Sequence, residues 1–369
     1  MLIQCTKKLL DQLKIKPADL CAEKEREYDA QFSWHANLIT VDRRKTVVLV
    51  HDNSHYVLIL HGLKAKDFKN LGDHILASIR ETFLAELIKE EVVTQFIAQS
   101  PGISYTKTKN RSTVARLNKT CEIIGLFSDF LTLDSVIQST ASIKASGCLI
   151  GDGANGYIYP FKELFDDLAA FYGGNIFSCR AVELETRLNL VEHKVWRNVI
   201  VPLSYTFREL HHVMQVLYDW SDYHLHCFQV YKNRKPLLEL VCNEGAFDYP
   251  SDIPRLMDMD IRLSEYMPQN KKFIYSYDFG DDWQHDIKVV RVIETFTQNH
   301  AVCLSGEGNA PPEDVGGEGG YDDFLAAIAD VDNPEHEEMV SWGIMQLFKD
   351  FKLDFVNREL QSVRRSRFL

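Results

Sequence analysis

Between residues 32 and 62 three runs rich in Val, Ile and aromatic residues, FSWHANLITVD, KTVVLVHD and SHYVLILHG, follow one another with short polar turns between them. Such runs form strands. Connections that short cannot carry a crossover, so the simplest assembly is an antiparallel meander. Ahead of them lie a short apolar segment, Leu2 to Cys5, and a helical pattern through Leu9, Leu10 and Leu13 that Pro17 ends. Behind them Phe68, Leu71, Ile75, Ile79 and Phe83 recur at three to four residues and predict helix across 66–99. In the second half AVELETRLNLV, KVWRNVIVP and HLHCFQVY read as strands, and FIYSYDF and WQHDIKVVRVI as a hairpin around Gly280. TFRELHHVMQVLYDW is an amphipathic helix with Leu210, Val213, Met214 and Leu217 as its stripe, opened by a capping box of Thr206 and Glu209. Residues 303–321 read as a loop, and two helices, at about 321–329 and 335–350, close the chain. Strands and helices mixed without a βαβ rhythm mean α+β.

A chain of 369 residues exceeds what one core ordinarily serves. Charge divides it near 180: residues 1–180 hold 22 Lys+Arg against 21 Asp+Glu, and residues 181–369 hold 19 against 32, a balance of -13. The expected organisation is two domains, 1–175 and 180–369, each a mainly antiparallel sheet packed with helices. A hydrophobic content of 45% excludes disorder. No run of about 18 apolar residues occurs, and charges in MLIQCTKKLLDQLK stand where a signal peptide needs an apolar stretch. A cytoplasmic protein with no membrane partner is expected. The 8 cysteines include no CxxC pair and read as reduced thiols.

The polar residues of the second half can be sorted by face. On a strand over 282–292, Trp283, His285, Ile287 and Val289 share the apolar side, and Asp282, Gln284, Asp286 and Lys288 take the wet one. On HLHCF, His224, His226 and Phe228 share a side, and two histidines two apart on a strand can converge on one ion. On the helix, His212 goes with Arg208, Gln215 and Asp219 toward solvent, whereas His211 sits at the edge of the apolar stripe. The PPED segment adds carboxylates. Pro311 and Pro312 stiffen the approach of Glu313 and Asp314, and the paired glycines at 316–317 and 319–320 permit turns closed to other residues.

Candidate metal ligands are therefore His211, His224, His285, Asp281 and Glu313, and candidate catalytic residues His285, Glu313 and Asp314. For each histidine alone, a core imidazole bonded to backbone is the competing reading. Imidazole with carboxylate suits zinc or manganese, so a divalent metal ion is the cofactor these residues suggest. YDFGDD is not a kinase metal motif, because no Gly-rich loop, VAIK-like lysine or HRD segment precedes it. In the first half, YTKTKNRSTVARLNK at 105–119 carries five Lys/Arg and no acid. Lys107, Lys109, Arg111 and Arg116 are its candidates for contact with nucleic acid or a partner, against the plainer reading of a solvated loop. GDGANG at 151–156 lacks the spacing of a phosphate loop and reads as a surface turn.

WRNVIVP, ELHHVMQVLYDWSDYHLHCF, YDFGDDWQH and CLSGEGNAPPEDVGGEGGYDDFL, in that order from 196 to 325, resemble the Ri-plasmid ORF-three-like family. The N-terminal half resembles, more loosely, a prokaryotic family of unknown function. The first resemblance implies an α+β fold and an association with plasmids and mobile elements, and it carries no activity with it. At Ala310 and Val315, where many relatives have cysteine, this chain departs from the pattern, which puts a thiolate site in doubt. Two functions follow. One is an interaction module whose polar groove is YDFGDDWQH plus the PPED loop, with a protein or a second copy as partner and nucleic acid reached through the N-terminal half. The other is a metal-dependent hydrolase or nuclease built on the His/Asp/Glu cluster, against which the charge of the second half weighs where the substrate is a phosphate.

Overall fold

In the computed structural model, which describes residues 1–21, 29–99, 102–108, 111–151, 156–245 and 251–365, the N-terminal sheet begins with β1 (Leu2–Cys5). The meander follows as β2 (Ser33–Val41), β3 (Arg44–His51) and β4 (Val57–His61), paired antiparallel. β1 lies parallel to β2 on one side and to β5 (Ser104–Lys107) on the other, giving the order β4-β3-β2-β1-β5. Val47, Leu49, Leu58 and Leu60 face one core, and Val48, Val50, Val57 and Ile59 face another. Burial on both faces explains why these strands read as unbroken apolar runs.

The first core is closed by α1 (Lys7–Leu13), α2 (Ala65–Lys69), α3 (Leu71–Ala85), α4 (Glu90–Ala98) and α7 (Pro160–Tyr172). The second is closed by α5 (Arg111–Ile124) and α6 (Ser139–Ser146). Two differences from the sequence reading stand out. The helix expected over 66–99 is three helices, with Leu87 at φ 64° between α3 and α4. The basic stretch 105–119 is no loop: it ends β5 and fills α5, where Leu117, Thr120 and Ile124 are buried at helical spacing. β6 (Ile150–Gly151) and β7 (Tyr157–Ile158) form a short ladder, and residues 152–155 of the expected glycine turn lie outside the described residues.

This unit comprises Met1–Ser178 together with Arg365. Glu86, fully buried, accepts from both Arg365 terminal nitrogens at 2.6 and 2.7 Å and from the Tyr56 hydroxyl at 2.8 Å. The Arg365 guanidinium also lies 4.0 Å over the Phe161 ring.

The second unit, Cys179–Arg364, is built on eight strands. They are β8 (Cys179–Leu188), β9 (Val195–Pro202), β10 (His226–Lys232), β11 (Lys235–Val241), β12 (Arg255–Met257), β13 (Lys272–Tyr277), β14 (Trp283–Phe296) and β15 (Val302–Glu307). Their order is β12-β11-β10-β13-β14-β8-β9-β15, antiparallel except for β11 with β12. α8 (Phe207–Tyr218) packs Phe207, Leu210, Val213, Met214 and Leu217 into the core. Its capping box is formed: Thr206 Oγ1 accepts from Glu209 N at 3.1 Å and Glu209 Oε2 accepts from Thr206 N at 2.8 Å. α9 (Leu263–Tyr266), α10 (Gly317–Ala329), α11 (His336–Met345) and α12 (Leu353–Leu360) complete the unit. Residues 303–321 are thus strand and helix start as well as loop, and α12 is an addition to the two expected closing helices. Both units are α+β. Among the described residues no helix is long and apolar enough to cross a membrane.

Candidate metal centre

Where β13 ends and β10 and β14 begin, three segments converge. The β13–β14 turn holds Asp278 and Asp282 at φ 53° and 56°, in the left-handed region that Asp reaches more readily than most residues. Asp278 Oδ1 accepts from Gly280 N at 2.9 Å, and Asp278 N donates to Leu225 O at 3.0 Å. With one oxygen and the backbone fixed, Oδ2 is left 3.6 Å from Nε2 of His224, which sits just before β10.

The PPED segment arrives from the other side. Trp220 Nε1 donates to Pro311 O at 2.9 Å. Glu313, 5% exposed, accepts at Oε1 from Ser221 N at 2.8 Å and from the Tyr277 hydroxyl at 3.0 Å. Its Oε2 lies 3.8 Å from His224 Nε2, and Asp314 Oδ1 lies 3.0 Å from that nitrogen. Glu313 Oε2 and His224 Nε2 are buried atoms with no hydrogen-bond partner among the described residues. Asp281 Oδ2 accepts from Gly316 N at 3.1 Å, so the hairpin turn and the PPED loop touch. At Gly316 and Gly317, φ of 92° and 72° turns the chain into α10, and a Cβ on Gly320 would strike the Val315 carbonyl.

Three carboxylates around one imidazole are mutually repulsive. Oxygens of Asp278 and Asp314 and a nitrogen of His224 all lie within 4.8 Å of one another. Two ionised carboxylates at that distance repel by on the order of 3 kcal/mol at an effective dielectric of 20, before solvent screening. Burial raises the Glu313 carboxyl above the ordinary range. Burial, with Glu313 beside it, also raises the Tyr277 phenol, which stays a protonated donor. A cation removes the conflict. Ligands held at about 2.1 Å from one ion lie about 3.0 Å apart at adjacent octahedral positions and about 3.4 Å apart in a tetrahedron. The distances of 3.0 and 3.6 Å from His224 Nε2 to Asp314 and Asp278 are close to these, and Glu313 Oε2, at 3.8 Å, stands just outside that trio. One imidazole with carboxylates suits Mn²⁺, Fe²⁺ or Zn²⁺ better than Ca²⁺ or Mg²⁺.

Of the residues singled out in the sequence, His224, Glu313 and Asp314 meet here, and Asp281 stands at the rim as a tie between loops. Asp278 was not among the candidate ligands. Its signal was local: an Asp two residues before a hairpin glycine bonds that amide with one oxygen and leaves the other free. His285 lies elsewhere, fully buried, its ring 4.3 Å from Tyr218 and 5.3 Å from Trp220 and Tyr275. Burial pushes its imidazole down to about 3. His211 also stands apart, bonded to the Tyr275 hydroxyl and to Asp222 Oδ1, both at 2.8 Å, and stacked on His226 at 3.4 Å. His226 bonds Asp258 Oδ2 at 2.8 Å, so it and His224 do not converge. His212, expected in solvent, is buried. In the N-terminal unit, Lys107 and Arg111 are exposed, the Arg116 guanidinium meets His55 Nε2 at 2.5 Å, and Lys109 lies outside the described residues.

Comparison with known proteins follows the division into units. Residues 180–359 match the model of the Plasmid pRiA4b ORF-3-like protein family, and residues 2–163 match a Domain of unknown function (DUF6933). Over 162 residues, 44% of this chain and 79% of the relative, the chain is 36% identical to Uncharacterized protein y4hQ of Sinorhizobium fredii (strain NBRC 101917 / NGR234). A crystal structure of a protein of unknown function, MM3350 from Methanosarcina mazei Go1, is 28% identical with a TM-score of 0.40, covering 48% of this chain and 94% of that one.

Proposed function

The chain belongs to the plasmid pRiA4b ORF-3-like family through residues 180–359, and on that premise we propose that its C-terminal unit is a metal-dependent hydrolase whose ion is held by His224, Asp278, Glu313 and Asp314. The observation that carries the reading is Glu313 Oε2, a buried oxygen without a hydrogen-bond partner among the described residues, which stands 3.8 Å from His224 Nε2, a nitrogen that Asp314 Oδ1 faces at 3.0 Å. A structural polar cluster would satisfy such atoms with each other or with backbone.

A divalent ion bound there would supply Lewis acidity and lower the pKa of a coordinated water toward about 7. The protein's own groups orient the ligands. Ser221 N and the Tyr277 hydroxyl fix Glu313 Oε1, Gly280 N fixes Asp278 Oδ1, and Asp281 ties the two ligand-bearing loops together. Trp220, 6% exposed, and Tyr277 close the inner side against water, their rings stacked 5.0 Å apart. Asp314, with 61% of its side chain exposed, leaves the outer side open to a substrate.

Calorimetric titration of the purified protein with Mn²⁺ and Zn²⁺ tests this. One ion per chain is expected for each, with Mg²⁺ weaker. Glu313→Gln keeps the acceptor for Ser221 and Tyr277 but replaces Oε2 with an amide nitrogen that cannot ligate, so affinity should drop by about 10–100-fold or more while the fold persists. Saturable binding that is unchanged in Glu313→Gln and in His224→Ala, or no binding by the wild type, would sink the reading.

A further inference from the structure

The three segments that form the metal centre, residues 219–225, 277–283 and 309–323, contain ten Asp and Glu and not one Lys or Arg. Among the described residues, the ion pairs in which they engage Lys, Arg or His from outside the three segments are few: Lys349 with Asp219 at 2.8 Å, His211 with Asp222 at 2.8 Å and His193 with Asp322 at 2.7 Å. The three ligand carboxylates and one dication sum to a formal charge of -1, so the loaded site remains negative before Asp281 and Asp282 at its rim are counted. Enzymes that act on phosphoryl groups surround the metal with Arg, Lys or helix N-terminal amides, because the substrate brings its own negative charge to the reacting atom. These segments contain no Lys or Arg, and the helix N-terminus among them, that of α10, has its Gly316 amide committed to Asp281 Oδ2 at 3.1 Å and Glu318 in its first turn.

Resting on the metal reading above, we infer that the substrate of this site is an acyl compound, an amide or ester, carried on a positively charged molecule such as an amine or a basic peptide, and not a phosphodiester. A carbonyl is neutral in the ground state and develops negative charge only as water adds, when a nearby cation can stabilise it. A cationic group next to that carbonyl is drawn in by the uncompensated carboxylates. Tyr223, next in sequence to His224, is 75% exposed and offers an aromatic ring of the kind on which a cation can rest. The reaction consumes one water. Its oxygen ends on the acyl carbon, the C–N or C–O bond breaks, and the leaving amine or alcohol departs with a proton. No oxidant or other co-reactant is required.

The full-length protein loaded with Mn²⁺, its occupancy confirmed by calorimetry, is given four probes: the 4-methylcoumarin amides of lysine, glutamine and glutamate, and bis(4-nitrophenyl) phosphate. The expected order is lysine over glutamine over glutamate, with no turnover of the phosphate diester. The lysine-to-glutamate ratio should fall at least threefold in Asp282→Asn, which removes a rim charge at a left-handed position asparagine accepts, and should shrink again in 0.5 M NaCl. Cleavage of the diester, a ratio near one, or no turnover of any amide by metal-loaded protein overturns the inference and leaves the metal site standing. Failure to bind metal falls on the earlier reading instead, and this one goes with it.

Discussion

His285 is exposed to the consequences of acid, because it is fully buried among aromatic rings and its imidazole is pushed down from 6.5 to about 3. The unfolded chain binds a proton on this side chain below about pH 6.5 and the folded chain does not, so stability is complete above that pH and falls as pH drops toward 3. The slope is about 1.4 kcal/mol per pH unit for one such group. Burial lowers His211 and His226 in the same direction, so their losses add to it. Urea unfolding of His285→Phe at pH 5 and 7.5 should show a shallower acid dependence than the wild type; an identical difference between the two pH values would contradict this. The position of His285 was legible, since alternation along β14 set it on the side of Trp283 and Ile287. The position of His224 was not. Strand periodicity coupled it to His226, but β10 begins only at His226, and a side chain outside the strand answers to the loop packed over it rather than to the pleat.

At the scale of elements, the capping box of α8 was readable from Thr206 and Glu209 alone, and Thr206→Ala should destabilise the C-terminal unit by about 1 kcal/mol, measurable in chemical denaturation. β15 escaped because Gly306 and the glycines that follow the strand look like loop. Gly306 is there because Arg197 crosses it: a Cβ would lie 2.6 Å from Arg197 Cδ and 2.9 Å from Phe351 Cζ. That constraint comes from a partner 109 positions away, which local sequence cannot reveal. α12 escaped for another reason, since Val356 and Leu360 are its only buried residues and two positions make no recognisable stripe. The α10 entry offers a third test. Gly320→Ala would press a methyl on the Val315 carbonyl and displace the PPED loop. The expected outcome is a metal affinity at least tenfold weaker with all four ligands intact, and unchanged affinity would show that the loop is held by its other ties.

For the molecule as a whole, the sequence's change of charge near 180 coincides with a division of cores: the C-terminal clusters contain no residue before Cys179 and the N-terminal clusters none after Phe177. Glu86→Ala leaves the Arg365 guanidinium buried without its acid, at a cost of about 3–5 kcal/mol. Hydrogen exchange should quicken across β1–β5 while the metal affinity of the other unit stays within about twofold; a larger loss of affinity would mean that the units are energetically joined. The placement of β1 carries a different consequence, for synthesis. This strand lies between β2 and β5, so on the ribosome its second neighbour does not exist until Lys107 has emerged. One edge of a central strand must wait through the translation of about a hundred residues. During that interval the nascent chain presents an open, apolar ledge to which chaperones or a neighbouring nascent chain can attach.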